Sequence, residues 1–130
     1  MKLKANEMGQ LMHINIHDEI GARCIVAEDG QKIHDKVFDK LKTGESVYLD
    51  FTGVRLYASP FFNYALGQLI NEFSEESLRQ LLHLVNLNEI GKSVAERVIE
   101  NATKFKGNAD YKKIVDDILA QQAKGNSDGR

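Results

Sequence analysis

An α/β layered domain is the fold class this sequence predicts, on three observations. Near the start, apolar Met12, Ile14 and Ile16 alternate with polar His13, Asn15 and His17, the period-two pattern of a half-buried strand. Two further short apolar runs, residues 46–51 and 81–87, are of strand length. Between and after them, apolar residues recur every three or four positions, as in helices that bury one stripe. Strands alternating with helices make a layered α/β domain.

Each element has its own argument. The strand from residue 11 is followed by a mostly apolar stretch, residues 22–27. It reads as a second strand pairing with the first or as the approach to a helix. Residues 28–41 are predicted helical: Ile33, Val37 and Leu41 recur at four with Phe38 beside them. Glu28 and Asp29 suit the positive end of that helix dipole, Lys40 and Lys42 the negative end, and Gly44 its left-handed cap. Residues 46–51 place Val47, Leu49 and Phe51 on one side of a strand. A helix over residues 60–73 follows, with Ser59 as N-cap and Pro60 in the first turn; it is apolar around most of its girth. Gly67 within it is read as a point of close helix–sheet packing. Residues 81–87 are almost continuously apolar, which predicts a central strand covered on both faces. Asn88 caps a helix to about residue 105, with Ile90, Val94, Val98, Ala102 and Phe105 as its predicted stripe. Residues 109–122 read as a last amphipathic helix. One domain is expected over residues 11–122, between a flexible start (1–10) and a disordered tail (123–130).

Composition narrows the function classes. The chain has 130 residues, 17 basic and 19 acidic, for a net charge of −2. The charges are spread over both halves, so no basic face is expected for nucleic acid. A single cysteine, Cys24, forms no internal disulfide and is expected to pack as a small apolar group. No apolar run approaches the ~20 residues of a membrane helix, and residues 1–10 lack a signal-peptide core, so a cytoplasmic location is expected. His13 and His17, four residues apart on a strand, would stand ~13 Å apart, too far to share a metal. No metal site and no cofactor are expected, and no Gly-rich phosphate loop occurs.

The segment from Tyr48 to Ile70 carries the most information. Asp50-Phe51, Gly53-Val54, Ser59, Phe61, Asn63, Gly67 and Leu69 form a pattern that resembles STAS-like domains, relatives of anti-sigma-factor antagonists. Its nearest likeness is to the STAS-like family of unknown function. Glu28-Asp29-Gly30 and Leu84-Val85-Asn86 fit the same pattern, which spans about residues 12–92. The resemblance implies a small mixed β-sheet with helices packed on one face, and a role in binding with no catalytic residues. In anti-sigma-factor antagonists a serine at the start of the corresponding helix is phosphorylated by a histidine-kinase-like ATPase. That acceptor position falls here on Pro60, which has no hydroxyl; Ser59, one residue earlier, is the possible phosphoacceptor, and otherwise an N-cap.

The expected function is therefore a regulatory protein–protein interaction module, with its surface on the turn and helix start over residues 52–63, from Thr52 to Asn63. Arg55, Tyr57, Ser59 and Asn63 are the candidate partner contacts. Asp50 and Gly53 are read as turn residues, the acid accepting from the amides of Thr52 and Gly53. The expected partner is a protein, either a histidine-kinase-like ATPase, by the resemblance, or another signalling protein. Two alternatives stand beside this reading. One is a phosphoaspartate receiver on Asp50, with Asp18 and Glu19 as companion acids. The other is a scaffold that docks by the helix at residues 109–122.

Overall fold

The computed structural model describes residues 11–105 and, beyond them, Ile118, which is helical and buried. The expectations for residues 1–10, the rest of the 109–122 helix and the 123–130 tail lie outside the described residues.

A three-stranded parallel sheet forms the frame, with β1 (Leu11–Asn15), β3 (Ser46–Asp50) and β5 (Leu82–Val85) in the order β1-β3-β5. Met12 pairs with Val47 and Ile14 with Leu49, and these continue to Leu82 and Leu84. Val47, Leu49, Leu82 and Leu84 are buried, while Tyr48, His83 and Val85 between them are only half-buried. The alternation puts the core on one face. On the other face Tyr48 stacks on His83, ring centroids 4.4 Å apart, and His13 pairs with Tyr48 from the opposite side. The central strand is thus β3, and β5 is an edge strand with one covered face, contrary to the expectation for residues 81–87.

The strand at residue 11 ends sooner than its alternation suggests. The Asn15 side chain accepts the Asp18 N–H at 2.9 Å and so caps a short helix, α1 (Ile16–Ile20). Ile16 stays buried, but from a helix. Next, β2 (Arg23–Cys24) pairs in parallel with β4 (Leu56–Tyr57) in a separate two-stranded sheet, not with β1. Every pairing among the described residues is parallel.

Helix α2 (Ala27–Lys42) buries Ile33, Val37 and Leu41 as its spacing predicts. It closes at Gly44, φ +84°: Glu45 N–H donates to the Lys40 carbonyl at 3.0 Å and Gly44 N–H to that of Leu41 at 2.9 Å. The helix predicted over residues 60–73 is one rod in three parts. These are α3 (Ser59–Phe62), a π turn at Asn63–Gly67, and α4 (Gln68–Glu72). A π turn inserts a residue and rotates the following face, so Phe61, Phe62, Ala65, Leu66, Leu69 and Ile70 all remain buried. Gly67 is not a point of close packing, because a methyl there would meet only Val98 Cγ1 at 4.0 Å. The close approach is at Gly30 of α2, where a methyl would lie 2.2 Å from the Phe61 carbonyl oxygen.

Helices α2 and α3–α4 run alongside each other. Gln68 Nε2 donates to Gln31 Oε1 at 3.1 Å, and His34 Nε2 lies 2.7 Å from Glu72 Oε1. A short helix that hydrophobic spacing does not reveal, α5 (Glu75–Leu81), leads into β5, capped by Ser74 Oγ accepting from Ser77 N–H. Asn88 caps α6 (Glu89–Phe105) as predicted, accepting Gly91 N–H at 2.8 Å. The buried side of α6 is Gly91, Ala95, Val98, Ile99 and Thr103. Ile90 (63% exposed) and Phe105 (90%) of the predicted stripe face outward. Gly91 sets that register, because Tyr57 Cζ and Leu87 Cδ2 occupy the space a Cβ would need.

Candidate functional site

The carboxyl ends of parallel strands are where α/β sheets present functional groups, and here that edge is organised by Asp50. Its Oδ1 accepts the Thr52 hydroxyl at 2.6 Å, Asn86 Nδ2 at 2.9 Å and Thr52 N–H at 3.0 Å. Its Oδ2 lies 3.1 Å from His13 Nε2. The Asn86 amide, then the Thr52 hydroxyl, outweigh burial, and with the Thr52 N–H and His13 they hold the carboxyl down at about 2. One ionised side chain thereby ties β1, β3, the turn after β3 and the turn after β5. Asn86 pays for its place with a left-handed backbone, φ 62°. Asp50 is a turn residue, bonding the Thr52 amide but not that of Gly53, and Asn86 and His13 are partners sequence reasoning missed. A polar residue directly after an apolar strand was the available signal for Asn86, which follows β5 as Asp50 closes β3.

From Asp50 the chain is built as a rigid step. Gly53 takes φ +88°, with His17 packed against it, and Val54 N–H closes the turn on the Phe51 carbonyl at 3.0 Å. Val54 plugs into the core. Arg55 N–H then donates to the Ala22 carbonyl at 2.8 Å, and Ala58 N–H to that of Cys24 at 2.9 Å, so β4 is stitched to β2. Arg55, Leu56, Ser59, Pro60, Asn63 and Tyr64 emerge exposed along this step.

The candidate contacts therefore divide. Arg55, Ser59 and Asn63 are exposed on one ridge. Tyr57 is not an exposed contact: its ring stacks on Phe62 at 6.0 Å and packs against Phe51 and Gly91. Its hydroxyl is buried beside the Asn88 backbone without a hydrogen bond of good geometry, and burial pushes it up to about 12. Ser59 is not an N-cap. Ala58 holds that position, Ser59 is the first helical residue, and its hydroxyl makes no capping bond. Leu56 (52% exposed) and Tyr64 (45%) join the ridge, although sequence reasoning missed both. Leu56 was hidden by its place in an apolar run; Tyr64 could have been found, because it falls between the buried positions that recur at four along the rod.

Elsewhere, Cys24 is fully buried, and burial with Asp29 nearby pushes its thiol up to about 12, which fits a packing role. His34 of α2 is buried against Glu72, Asp35 and Phe38. Glu19 pairs with Lys36 at 3.3 Å. Among the described residues no three His, Cys, Asp or Glu are grouped as a metal ion requires, and no helix is long and apolar enough to cross a membrane.

Comparison with known proteins agrees with the geometry. Residues 29–92 match the family model described as a STAS-like domain of unknown function. No curated protein and no solved structure matches the chain. The matched stretch runs from the first turn of α2 to that of α6 and takes in Asp50, the exposed ridge and Asn86. The chain carries a STAS-like domain of unknown function, in a mixed α/β fold with small parallel sheets.

Proposed function

We propose that this domain is a regulatory interaction module that acts by binding a protein partner, without catalysis of its own, through the ridge from Thr52 to Asn63. The observation that carries the reading is the contrast along this segment. Its backbone is fixed by the Asp50 network and the β2–β4 stitching, yet Arg55, Leu56, Ser59 and Asn63 stand exposed on it. A stiff frame that presents arginine and large apolar side chains suits recognition, because little order has to be imposed on binding. The STAS-like family supports the same role, and by that resemblance the partner is a histidine-kinase-like ATPase. Ser59 is the hydroxyl such an enzyme would modify: it is exposed and free of any capping duty.

The test is affinity capture from native extract with the full chain, with and without ATP, followed by intact mass. Wild type should retain a partner that Arg55→Ala combined with Asn63→Ala releases, both proteins melting alike. Equal capture by that variant would refute the ridge. An ATP-dependent phosphate lost in Ser59→Ala is the expected mark of the ATPase; its absence would leave binding without a switch.

A further inference from the structure

The ridge continues past residues 52–63 onto β2 and the start of α2. Arg23 and Leu56 are register partners on parallel strands and both are exposed, while Cys24 and Tyr57 beside them turn inward. Val26 (48% exposed) lies just beyond β2 as the N-cap residue of α2, one turn before Gly30. Tyr64 Cβ stands 3.0 Å from where a Cβ on Gly30 would be. Three large apolar side chains, Leu56, Val26 and Tyr64, are thus exposed on elements that touch one another, and isolated apolar groups become meaningful when they gather. The charge beside them is uneven. Arg23 and Arg55 flank Leu56, and neither makes an ion pair among the described residues, although the chain carries more acid than base. Glu28 and Asp29 lie in the first turn of α2, at the Val26 end.

We propose that this surface receives an apolar segment of another protein that carries acidic side chains at one end, its carboxylates meeting Arg23 and Arg55 and its apolar residues covering Leu56, Val26 and Tyr64. The inference rests on the docking role above and adds the partner's chemistry and polarity. Unpaired arginines beside exposed leucine favour carboxylates, because Arg binds them in a two-point fork and its stem packs on apolar neighbours. Glu28 and Asp29 beside Val26 disfavour acid there, so the segment's carboxylates gather at the arginines.

A display library of random short peptides, selected on the full-length protein, tests this. Enriched peptides should pair Asp or Glu with a following or preceding apolar run. Their binding should fall about tenfold from low to high salt and about as much with Arg23→Glu plus Arg55→Glu. Leu56→Asp, a surface change that leaves the core alone, should abolish it. Peptides lost with Leu56→Asp but showing no acidic bias would overturn the charge inference and spare the docking role. Enrichment of basic peptides would do the same. Peptides indifferent to Leu56, or none enriched, would overturn the surface itself, and concentration-dependent self-association through Leu56 would assign it to a second copy of the chain.

Discussion

Two glycines on neighbouring helices should respond to the same substitution with opposite signs. A methyl on Gly30 would sit 2.2 Å from the Phe61 carbonyl oxygen, 3.0 Å from Tyr64 Cβ and 3.1 Å from the Phe61 carbonyl carbon. Ordinary contact begins near 3.4 Å, so α2 and α3 would have to part by roughly 1 Å. The obstacles are the Phe61 backbone and the first side-chain carbon of Tyr64, neither of them a flexible end that can swing away. Forcing extra carbon into such a core costs up to about 3 kcal/mol, and replacing glycine inside a helix returns about 1 kcal/mol. Gly30→Ala should therefore be destabilised by about 2 kcal/mol. Gly67 lies in the neighbouring rod with ordinary helical angles, and its methyl would touch only Val98 Cγ1 at 4.0 Å. Gly67→Ala should keep the helix gain, about 0.5–1 kcal/mol of stabilisation. The assay is urea unfolding of the full chain; for a domain of this size 2 kcal/mol moves the midpoint by about 1 M. A Gly30→Ala protein as stable as wild type, or two variants moving in the same direction, would refute the packing argument.

Asp50 predicts a pH dependence. Its folded-state value of about 2 lies below the ordinary aspartate range, so its contribution is complete above about pH 4 and fades as pH falls through about 2. At the sheet's rim, with the side chain 15% exposed, that contribution is about 1–2 kcal/mol. The stability gap between wild type and Asp50→Asn, from urea midpoints, should shrink across that window; a constant gap would contradict the role. Helix capping gives a second comparison. Asn88→Ala removes the acceptor of Gly91 N–H and should cost about 1 kcal/mol, whereas Ser59→Ala should stay within about 0.5 kcal/mol, as read by thermal melts. Equal losses at both would mean that Ser59 caps after all.

These residues also mark where sequence reasoning succeeds and stops. The three main strands and the body of α2 were readable because burial there follows one period over a whole element: Val47 and Leu49, or Ile33, Val37 and Leu41. The stripe on α6 held at Val94, Val98 and Ala102 but failed at its ends, Ile90 and Phe105, because Gly91, which fixes the helix's orientation, has no side chain to register as apolar. The long rod was readable as well, since Phe61, Ala65 and Leu69, and Phe62, Leu66 and Ile70, recur at four; what spacing did not show is the π turn at Asn63–Gly67 within it. Ser59 resembled a cap by residue type, but capping depends on a backbone angle, and Ala58, with φ −149° and ψ 155°, is the residue that has it. At the site, Asp50 and the ridge could be located from local pattern. Asn86 left a local signal, but that it and His13 bond to Asp50 could not be read, since they meet it across 36 and 37 residues of chain and only the strand order brings them together.

The polar contacts along the seam of α2 and the long rod have one more consequence. Gln31 to Gln68 and His34 to Glu72, with the notch at Gly30, fix how far one cylinder stands along the other. Sliding by a turn would break both contacts and move the Phe61 carbonyl off the space that Gly30 leaves for it. Val26 and Tyr64, which ride on different cylinders, are therefore locked at a constant separation. A segment docking as proposed would meet a die of set dimensions, and would itself do whatever bending the fit demands.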